Sequence, residues 1–163
     1  MSSAPTWEEP LPTLTGRAWA FGIVLTIADL LPERYATLAA AEASRHVLRN
    51  LDAALAGRLA PGDVVAVEDL RGGPGAAAAF AALRHLGIVA LVAGHYDDGI
   101  EEAALAARVV PVALDAPAFI HTGDRLRIDL EAAKIVNLSS GDRAAIRNLD
   151  DPRRATLRAL FRA

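Results

Sequence analysis

Residues 63–75, DVVAVEDLRGGPG, and the alanine-rich residues 76–87 that follow them decide the fold. Val64, Val65 and Val67 come after a Pro-Gly turn signal and predict a short buried strand. Residues 71–75 form a glycine-rich loop, and residues 76–86 predict a helix that stops at Gly87. The stretch therefore predicts a strand, a loop and a helix, with free N–H groups at the start of the helix. Such a helix start attracts a carboxylate or a phosphate.

The same loop has an unusual lack of reactive side chains. Residues 72–83 contain no acid, no base, no hydroxyl and no thiol. A site here would bind an anion through its backbone and Arg71, but its own side chains could not transfer a proton. The spacing fits equally well a tight turn in which the glycines serve only the backbone geometry.

Composition excludes several classes of protein. A chain of 163 residues with 53% hydrophobic residues predicts one globular domain. A net charge of −3 argues against a nucleic-acid partner, which normally needs a basic face. No cysteine is present, so neither a disulfide scaffold nor a thiolate-bound metal is expected on this chain. The four histidines lack ligand-like spacing, so no metal site is predicted; they are His46, His85, His95 and His121.

Hydropathy and repeats add two expectations about location and organisation. The longest apolar runs are far below the ~20 residues that a membrane helix needs, and the first residues show no signal pattern. We therefore expect a cytoplasmic protein without a membrane partner. We expect a flexible N-terminal arm at residues 1–15, one domain at 16–150, and an amphipathic helix at 151–163 packed on that domain.

The order of elements predicts an α/β fold. Apolar runs separated by helices predict two βαβ units, and residues 123–130 with 134–138 predict a closing β-hairpin. The remaining expected strands are 16–25, 63–68, 88–93 and 109–114, and the expected helices are 39–50, 51–59, 76–86, 98–107 and 151–162.

Four stretches together resemble a known family. They are GRAWAFG at 16–22 with LLPERY at 30–35, PGD at 61–63 with EDL at 68–70, ALRHLGI at 82–88, and TGD at 122–124 with DLE at 129–131 and NLSSG at 137–141. Their order is similar to the small subunit of 3-isopropylmalate dehydratase, the swivelling β/β/α domain shared with aconitase and homoaconitase. The resemblance implies a mixed sheet, small di- or tricarboxylate substrates, and a [4Fe–4S] cluster held by a large partner subunit.

The chain departs from that family where the chemistry lies. The family loop reads G-x-G-S-S-R-E, in which a serine alkoxide is the base and the arginine binds substrate carboxylate. Here Pro74 and Gly75 stand in place of the serines and Ala76 in place of the arginine. The family's Asp-Thr-Asp is replaced by residues 26–28, TIA, and its S-F-A-R-I-F-Y-R-N by residues 95–103. Arg34, in the P-x-R-Y segment, is retained.

Three functions stay open from the sequence. The first is a partner or regulatory subunit without the inherited Ser/Arg chemistry, pairing with an iron–sulfur large subunit or a small-subunit paralogue. The second is a repurposed enzyme with a new crevice, because acids and a histidine follow two neighbouring strands at their carboxyl ends. The third is an ordinary small subunit of an isopropylmalate or homoaconitate hydro-lyase. Whether the chain is an enzyme is therefore undecided at this point.

Candidate site residues follow from these alternatives. His95 and Glu68 are the candidate catalytic residues, because a histidine beside a carboxylate is a credible general base. Asp97 is a further candidate, although acids at 97 and 98 would also suit a helix cap. The candidate substrate-binding residues are Thr26, Arg34, Asp69, Arg71, Gly72, Gly73, Gly75 and Tyr96.

Overall fold

A computed structural model describes residues 9–162. Seven strands form the sheet: β1 (Thr13–Thr26), β2 (Val64–Arg71), β3 (Ala90–Tyr96), β4 (Val110–Ala113), β5 (Arg125–Asp129), β6 (Lys134–Asn137) and β7 (Arg143–Ala145). Six α-helices accompany them: α1 (Ile27–Leu30), α2 (Ala40–Ala43), α3 (Leu55–Arg58), α4 (Ala76–His85), α5 (Ile100–Ala106) and α6 (Asp151–Arg162). Short 3₁₀ helices lie at Glu33–Tyr35, Ser44–His46 and Pro117–Phe119.

The sheet is mixed, and its strand order is β4-β3-β2-β1-β5-β6-β7. Strands β2, β3 and β4 pair in parallel as the two predicted βαβ units, and β1 also pairs with β2 in parallel, whereas β5, β6 and β7 are antiparallel. The first strand joins the two halves: Thr13 to Arg17 pair with β5, and Ala18 to Thr26 pair with β2. The predicted α/β fold with a mixed sheet, βαβ units and a closing hairpin is confirmed.

Two apolar clusters pack on the two faces of the parallel strands. The larger one contains Val65, Val67 and Leu91 of the sheet and is covered by residues of the short helices and α4, with Phe80 fully buried. The second contains Val64, Val92 and the inward residues of β5 and β6. Because β2 and β3 are buried on both faces, their apolar runs are continuous.

The amino-terminal end of β2 is fixed by a close backbone approach and a buried acid. A Cβ on Gly16 would lie 2.0 Å from the carbonyl oxygen of Gly62, so only glycine fits there. Asp63 is 5% exposed, and its Oδ2 accepts hydrogen bonds from Trp19 Nε1 at 2.8 Å and from the Ala60 N–H at 2.9 Å. The Gly-Asp pair of the first motif therefore has a structural role.

The second Gly-Asp motif has a comparable role in the closing hairpin. Asp124 Oδ2 accepts hydrogen bonds from Asn137 Nδ2 at 2.7 Å and from the His121 N–H at 2.8 Å. The Asn137 amide, which is fully buried, lowers the pKa of Asp124 together with that N–H. Asn137 Oδ1 also accepts from the N–H groups of Ser139 and Ser140. The NLSSG motif is thus a polar brace for the turn after β6.

Several element boundaries differ from the sequence prediction. The expected helix at 39–50 is wrong beyond its first turns, because Leu48 is fully buried with a left-handed φ of 58° that ends helical geometry. The first strand begins at Thr13, inside the expected arm, and β7 was not predicted. Residues 1–8 of that arm lie outside the described residues. Among the helices of residues 9–162, none is long and apolar enough to cross a membrane.

Candidate functional site

The glycine-rich loop joins the end of β2 to the start of α4, as the sequence predicts. Gly75 has a φ of 86° and occupies the N-cap of α4, where no side chain of the described chain caps the helix. A Cβ on Gly75 would lie 3.4 Å from Ala36 Cβ, and one on Gly73 would lie 3.8 Å from Ile27 Cβ. The loop therefore packs beside the end of β1, where Thr26 lies, and the segment after it, which carries Arg34.

Four polar side chains gather at the carboxyl ends of β2 and β3, and we name them the loop cluster: Asp69, Arg71, His95 and Asp97. Asp69 and His95 are partners in the β2–β3 register, and the Asp97 N–H donates to the Leu70 carbonyl. Arg71 Nε lies 2.9 Å and its Nη2 2.8 Å from Asp69 Oδ2. His95 Nε2 lies 3.3 Å from Asp97 Oδ1.

Asp97 ties the loop cluster to the loop backbone. Its Oδ2 accepts a 2.8 Å hydrogen bond from the Gly72 N–H. This bond, assisted by His95 and Arg71, lowers the pKa of Asp97 below the usual value for an aspartate. The residue does not cap α5, whose N-cap is Gly99. Its carboxylate holds the neighbouring loop instead.

Asp69 is the incompletely bonded member of the loop cluster. Its side chain is 18% exposed and its Oδ2 binds Arg71. Its Oδ1 is buried and has no hydrogen-bond partner among the residues that the structure describes. Buried carboxylate oxygens are normally hydrogen-bonded, so this oxygen has the capacity to accept a partner from solution, such as a water molecule or a cation.

The two candidate catalytic residues line different cavities. His95 lies at a surface depression of about 490 Å³ together with Gly72, Asp97 and Asp98. Glu68 lines a separate cavity of about 290 Å³ with Phe21, Pro117 and His121 among its walls. The carboxylate near His95 is therefore that of Asp97, with Asp69 close by.

Tyr96 lies in the apolar core. Its hydroxyl lies 2.6 Å from the Leu91 carbonyl oxygen and 3.0 Å from that of Val112. Burial raises the pKa of Tyr96 well above its usual value. Because this hydroxyl is buried and contacts two backbone carbonyls, it links β3 to β4 and is not accessible to a substrate.

Thr26 and Arg34 lie on the segment beside the loop. Thr26 pairs with Arg71 in the sheet register, but its hydroxyl both donates to Asp29 Oδ2 and accepts from the Asp29 N–H, as the N-cap of α1. Arg34 is exposed, and its guanidinium lies 4.7 Å from the centre of the Tyr35 ring, which stacks on His46. Arg34 therefore remains accessible to an anion from solution.

The chemistry of the site follows from these donors. The loop offers N–H groups and the guanidinium of Arg71, and the loop cluster offers an imidazole and two carboxylates. An iron–sulfur cluster needs thiolate ligands, and the chain has no cysteine, so its own residues do not fit that group. The side chains present suit anion binding, proton transfer by His95, or coordination of a harder ion.

Comparisons with known proteins find relatives in the family that the four sequence stretches resemble. The methanogen homoaconitase small subunit of Methanothermobacter thermautotrophicus is 28% identical over 142 residues, covering 85% of this chain and 81% of that protein. The 3-isopropylmalate dehydratase small subunit 2 of Archaeoglobus fulgidus is 29% identical over 131 residues, 78% of this chain and 79% of that protein. The chain is therefore similar to these small subunits over most of its length. The predicted resemblance is confirmed.

The fold leads to the same group of proteins. The crystal structure of 3-isopropylmalate dehydratase from Methanocaldococcus jannaschii superimposes with a TM-score of 0.80 at 22% identity, over 88% of this chain and 86% of that one. No protein-family model matches the chain. The chain therefore shares the fold of that structure at low sequence identity.

Sequence reasoning placed most of the site but not its arrangement. Asp69, Arg71, Gly72 and His95 were expected together and lie together. Of the two carboxylates considered as partners of His95, Glu68 and Asp97, the structure brings Asp97 to it. The Gly72 N–H that orients Asp97 was not expected. Alternating side-chain directions along an extended chain account for the His95–Asp97 contact, since residues 95 and 97 are two apart and share one direction.

Proposed function

We propose that the chain is the small-subunit partner of an aconitase-type hydro-lyase large subunit, and that it stabilises or regulates that complex without the Ser/Arg chemistry of the family loop. Homology to two small subunits and the shared fold support the first part. The loop between β2 and α4 supports the second. By analogy with the relatives, the [4Fe–4S] cluster would be held by the large subunit.

The observation that carries the proposal is a retained strand–loop–helix without the side chains that would do the chemistry. Residues 72–83 contain only Gly, Pro, Ala, Phe and Leu, so the start of α4 carries no group that could take a proton. The nearest hydroxyl and guanidinium do not replace the family's serine and arginine. The Thr26 hydroxyl is bound to Asp29, and the Arg71 guanidinium is bound to Asp69. Removing several members of a catalytic set leaves little of the original rate.

The loop nevertheless keeps features suited to carboxylate recognition. The first turn of α4, a helix of ten residues, begins after Gly75 with uncapped N–H groups and carries no acid. Arg34 is exposed on the neighbouring segment. Backbone N–H groups at a helix start favour an anion. A regulatory role in which a small di- or tricarboxylate binds here without being converted is consistent with both features.

Anaerobic reconstitution tests this proposal. The full chain is mixed with the large subunit from the same cell, and complex formation is measured by size-exclusion chromatography with light scattering. Hydration of a dicarboxylate alkene is then assayed in the same samples, with a catalytic small subunit as the positive control. We expect a complex without turnover, and altered activity or stability of the complex that the catalytic small subunit forms.

Two results would contradict it. Full turnover with this chain would support an ordinary hydro-lyase small subunit, whereas failure to form any complex would remove the partner role. The double variant Pro74→Ser with Ala76→Arg returns a hydroxyl and a guanidinium to the loop. It tests whether the absence of these side chains explains the absence of turnover. Ala77→Ser, one residue further along the exposed start of α4, is its matched control.

A repurposed enzyme is the second candidate, because the structure places His95 and Asp97 within hydrogen-bond range at an open depression. In that case His95 would act as the general base and Asp97 would orient it. This crevice differs from the predicted one, since Glu68 and Tyr96 lie elsewhere. A His95→Gln variant that loses an activity found by screening small carboxylates would favour this candidate, and retained activity would exclude His95 as the base.

A further inference from the structure

We propose that Asp69, His95 and Asp97 bind one divalent transition-metal ion at the carboxyl ends of β2 and β3. The site goes beyond the proposed partner role, which does not require it. It also differs from the expectation that none of the histidines is a metal ligand, because the three residues come from two strands and are adjacent only after folding.

The geometry brings one donor atom from each residue to a common point. A carboxylate oxygen of Asp69, one of Asp97 and a ring nitrogen of His95 lie within 4.8 Å of one another. Ligands bound about 2.1 Å from a zinc ion lie about 3.4 Å apart in a tetrahedron. Binding therefore needs side-chain movements of about 1 Å, with no change in the strand register.

Each carboxylate is already oriented through its Oδ2, while Oδ1 of Asp69 has no partner among the described residues and Oδ1 of Asp97 lies 3.3 Å from His95 Nε2. Asp69 Oδ2 is held by the Arg71 guanidinium, and Asp97 Oδ2 by the Gly72 N–H. Such outer bonds position the carboxylates of metal sites and tune their affinity.

The unpaired Oδ1 of Asp69 also supports a bound cation at this place. It is buried and unpaired within the described chain, although a carboxylate oxygen in that position normally has a partner. A cation bound to this oxygen would satisfy it. The neighbouring Arg71 does not, because both of its contacting nitrogens are directed at Oδ2.

The donor set selects the type of ion. An imidazole with two carboxylates suits zinc, iron, cobalt, nickel or manganese, whereas magnesium and calcium prefer oxygen ligands alone. Three protein ligands leave at least one coordination position open. That position would face the depression lined by Gly72, His95, Asp97 and Asp98, where water or a carboxylate from solution can enter.

Metal binding by the isolated full chain tests the site. The protein is freed of metal with a chelator and titrated with ZnCl₂ by calorimetry, then with CoCl₂ while the visible absorbance of the bound ion is recorded. We expect one ion per chain, and binding about 100-fold weaker in His95→Gln, which lacks one ligand. MgCl₂ is the comparison titrant and is expected to bind much more weakly.

The chain offers a matched control in a second exposed histidine beside an aspartate. His121 Nδ1 lies 3.8 Å from Asp124 Oδ2, and this pair is not part of the three-residue group. His121→Gln should bind zinc as the wild type does. Asp69→Asn keeps the shape of its side chain and provides a second ligand variant if His95→Gln folds poorly, as judged by near-UV circular dichroism.

Three results would overturn the inference: no zinc binding by the wild type, equal zinc binding by wild type and His95→Gln, or magnesium binding as tight as that of zinc. In each case the loop cluster would be an ion-pair network at the sheet edge and nothing more. Because the titration uses this chain alone, its failure leaves the large-subunit proposal untouched, and failed reconstitution leaves the metal site untouched.

Discussion

The two ends of β2 carry an aspartate each, and the two aspartates have opposite surroundings. At the amino end, Asp63 is 5% exposed and its Oδ2 is shared by the Trp19 ring, the Ala60 N–H and Arg17. At the carboxyl end, Asp69 binds Arg71 through Oδ2, and its Oδ1 has no hydrogen-bond partner within residues 9–162. The carboxylate at the first end is therefore satisfied within the protein, whereas the one at the second end is only partly satisfied by the described residues.

The difference matters for tracing what has been kept from the relatives. Motif residues such as Gly16, Asp63 and Asn137 are fixed by contacts within the chain. The loop at residues 72–75 is mostly exposed and contacts its surroundings loosely. Substitutions should therefore lower the free energy of unfolding strongly at the amino end of β2 and weakly at its carboxyl end.

Gly16→Ala should give the largest loss of stability. The new methyl group would lie 2.0 Å from the Gly62 carbonyl oxygen, and backbone atoms would have to move. We expect the free energy of unfolding, measured with urea, to fall by about 3 kcal/mol. Gly22→Ala on the same strand is the control, since nothing lies within 4 Å of its added Cβ. Equal losses in both variants would show that strand position matters and the contact does not.

Asp63→Ala should come next. The variant leaves the Trp19 and Ala60 donors without their acceptor in a buried place, which costs about 2 kcal/mol. Urea unfolding followed by tryptophan fluorescence measures it. Asp115→Ala is the comparison, because that side chain is 94% exposed and its ion pair with Arg147 should contribute little. A loss at Asp63 no larger than that at Asp115 would contradict the structural role of the motif.

Asp69→Asn should change stability by less than about 0.5 kcal/mol. Its partner Arg71 is 55% exposed, so solvent screens the ion pair, and the unpaired Oδ1 makes no bond that could be lost. The same urea experiment, with Asp63→Asn beside it, compares the two ends directly. If Asp69→Asn destabilises the chain as much as Asp63→Asn does, the two ends of β2 do not differ in the way argued above.

The smallest effect should be a pH dependence at Asp97. Its folded pKa is lowered by the Gly72 N–H, so the stabilisation is present above the aspartate's ordinary value of 3.8 and is lost as the pH falls through the folded pKa. The stability difference between wild type and Asp97→Asn should therefore shrink in acid. Asp124→Asn should behave similarly, since the pKa of Asp124 is lowered as well. A difference that grows in acid would reverse the sign and exclude this account.

Most of the fold could be predicted from sequence because local signals agreed with the tertiary structure. The apolar runs of β2, β3 and β4 are buried on both faces, and the helix at 76–85 ends before a glycine with a φ of 86°. The helix expected at 39–50 failed because burying Val47 and Leu48 outweighed the helix propensity of the segment. The strand at 143–145 has three residues, Arg-Ala-Ala, too few to show a periodicity.

The site was less accessible to sequence reasoning. That Asp69 and His95 meet depends on strand register, which residues 26 positions apart do not encode locally. Glu68 was expected beside His95, but the two residues line different cavities. Tyr96 was expected to bind substrate through its hydroxyl. In the structure this hydroxyl is buried and contacts two backbone carbonyl oxygens.

The dual pairing of β1 sets an order of assembly. Its later residues meet β2 about 45 positions along the chain, whereas Leu14 must find Ile128 in β5, more than 100 positions away. During synthesis the antiparallel edge of β1 has no partner strand until β5 has been made. We expect the nascent chain to expose an unpaired, aggregation-prone strand edge during that interval. It should then depend on chaperones or on an early-binding partner until β5 and β6 have formed their hairpin.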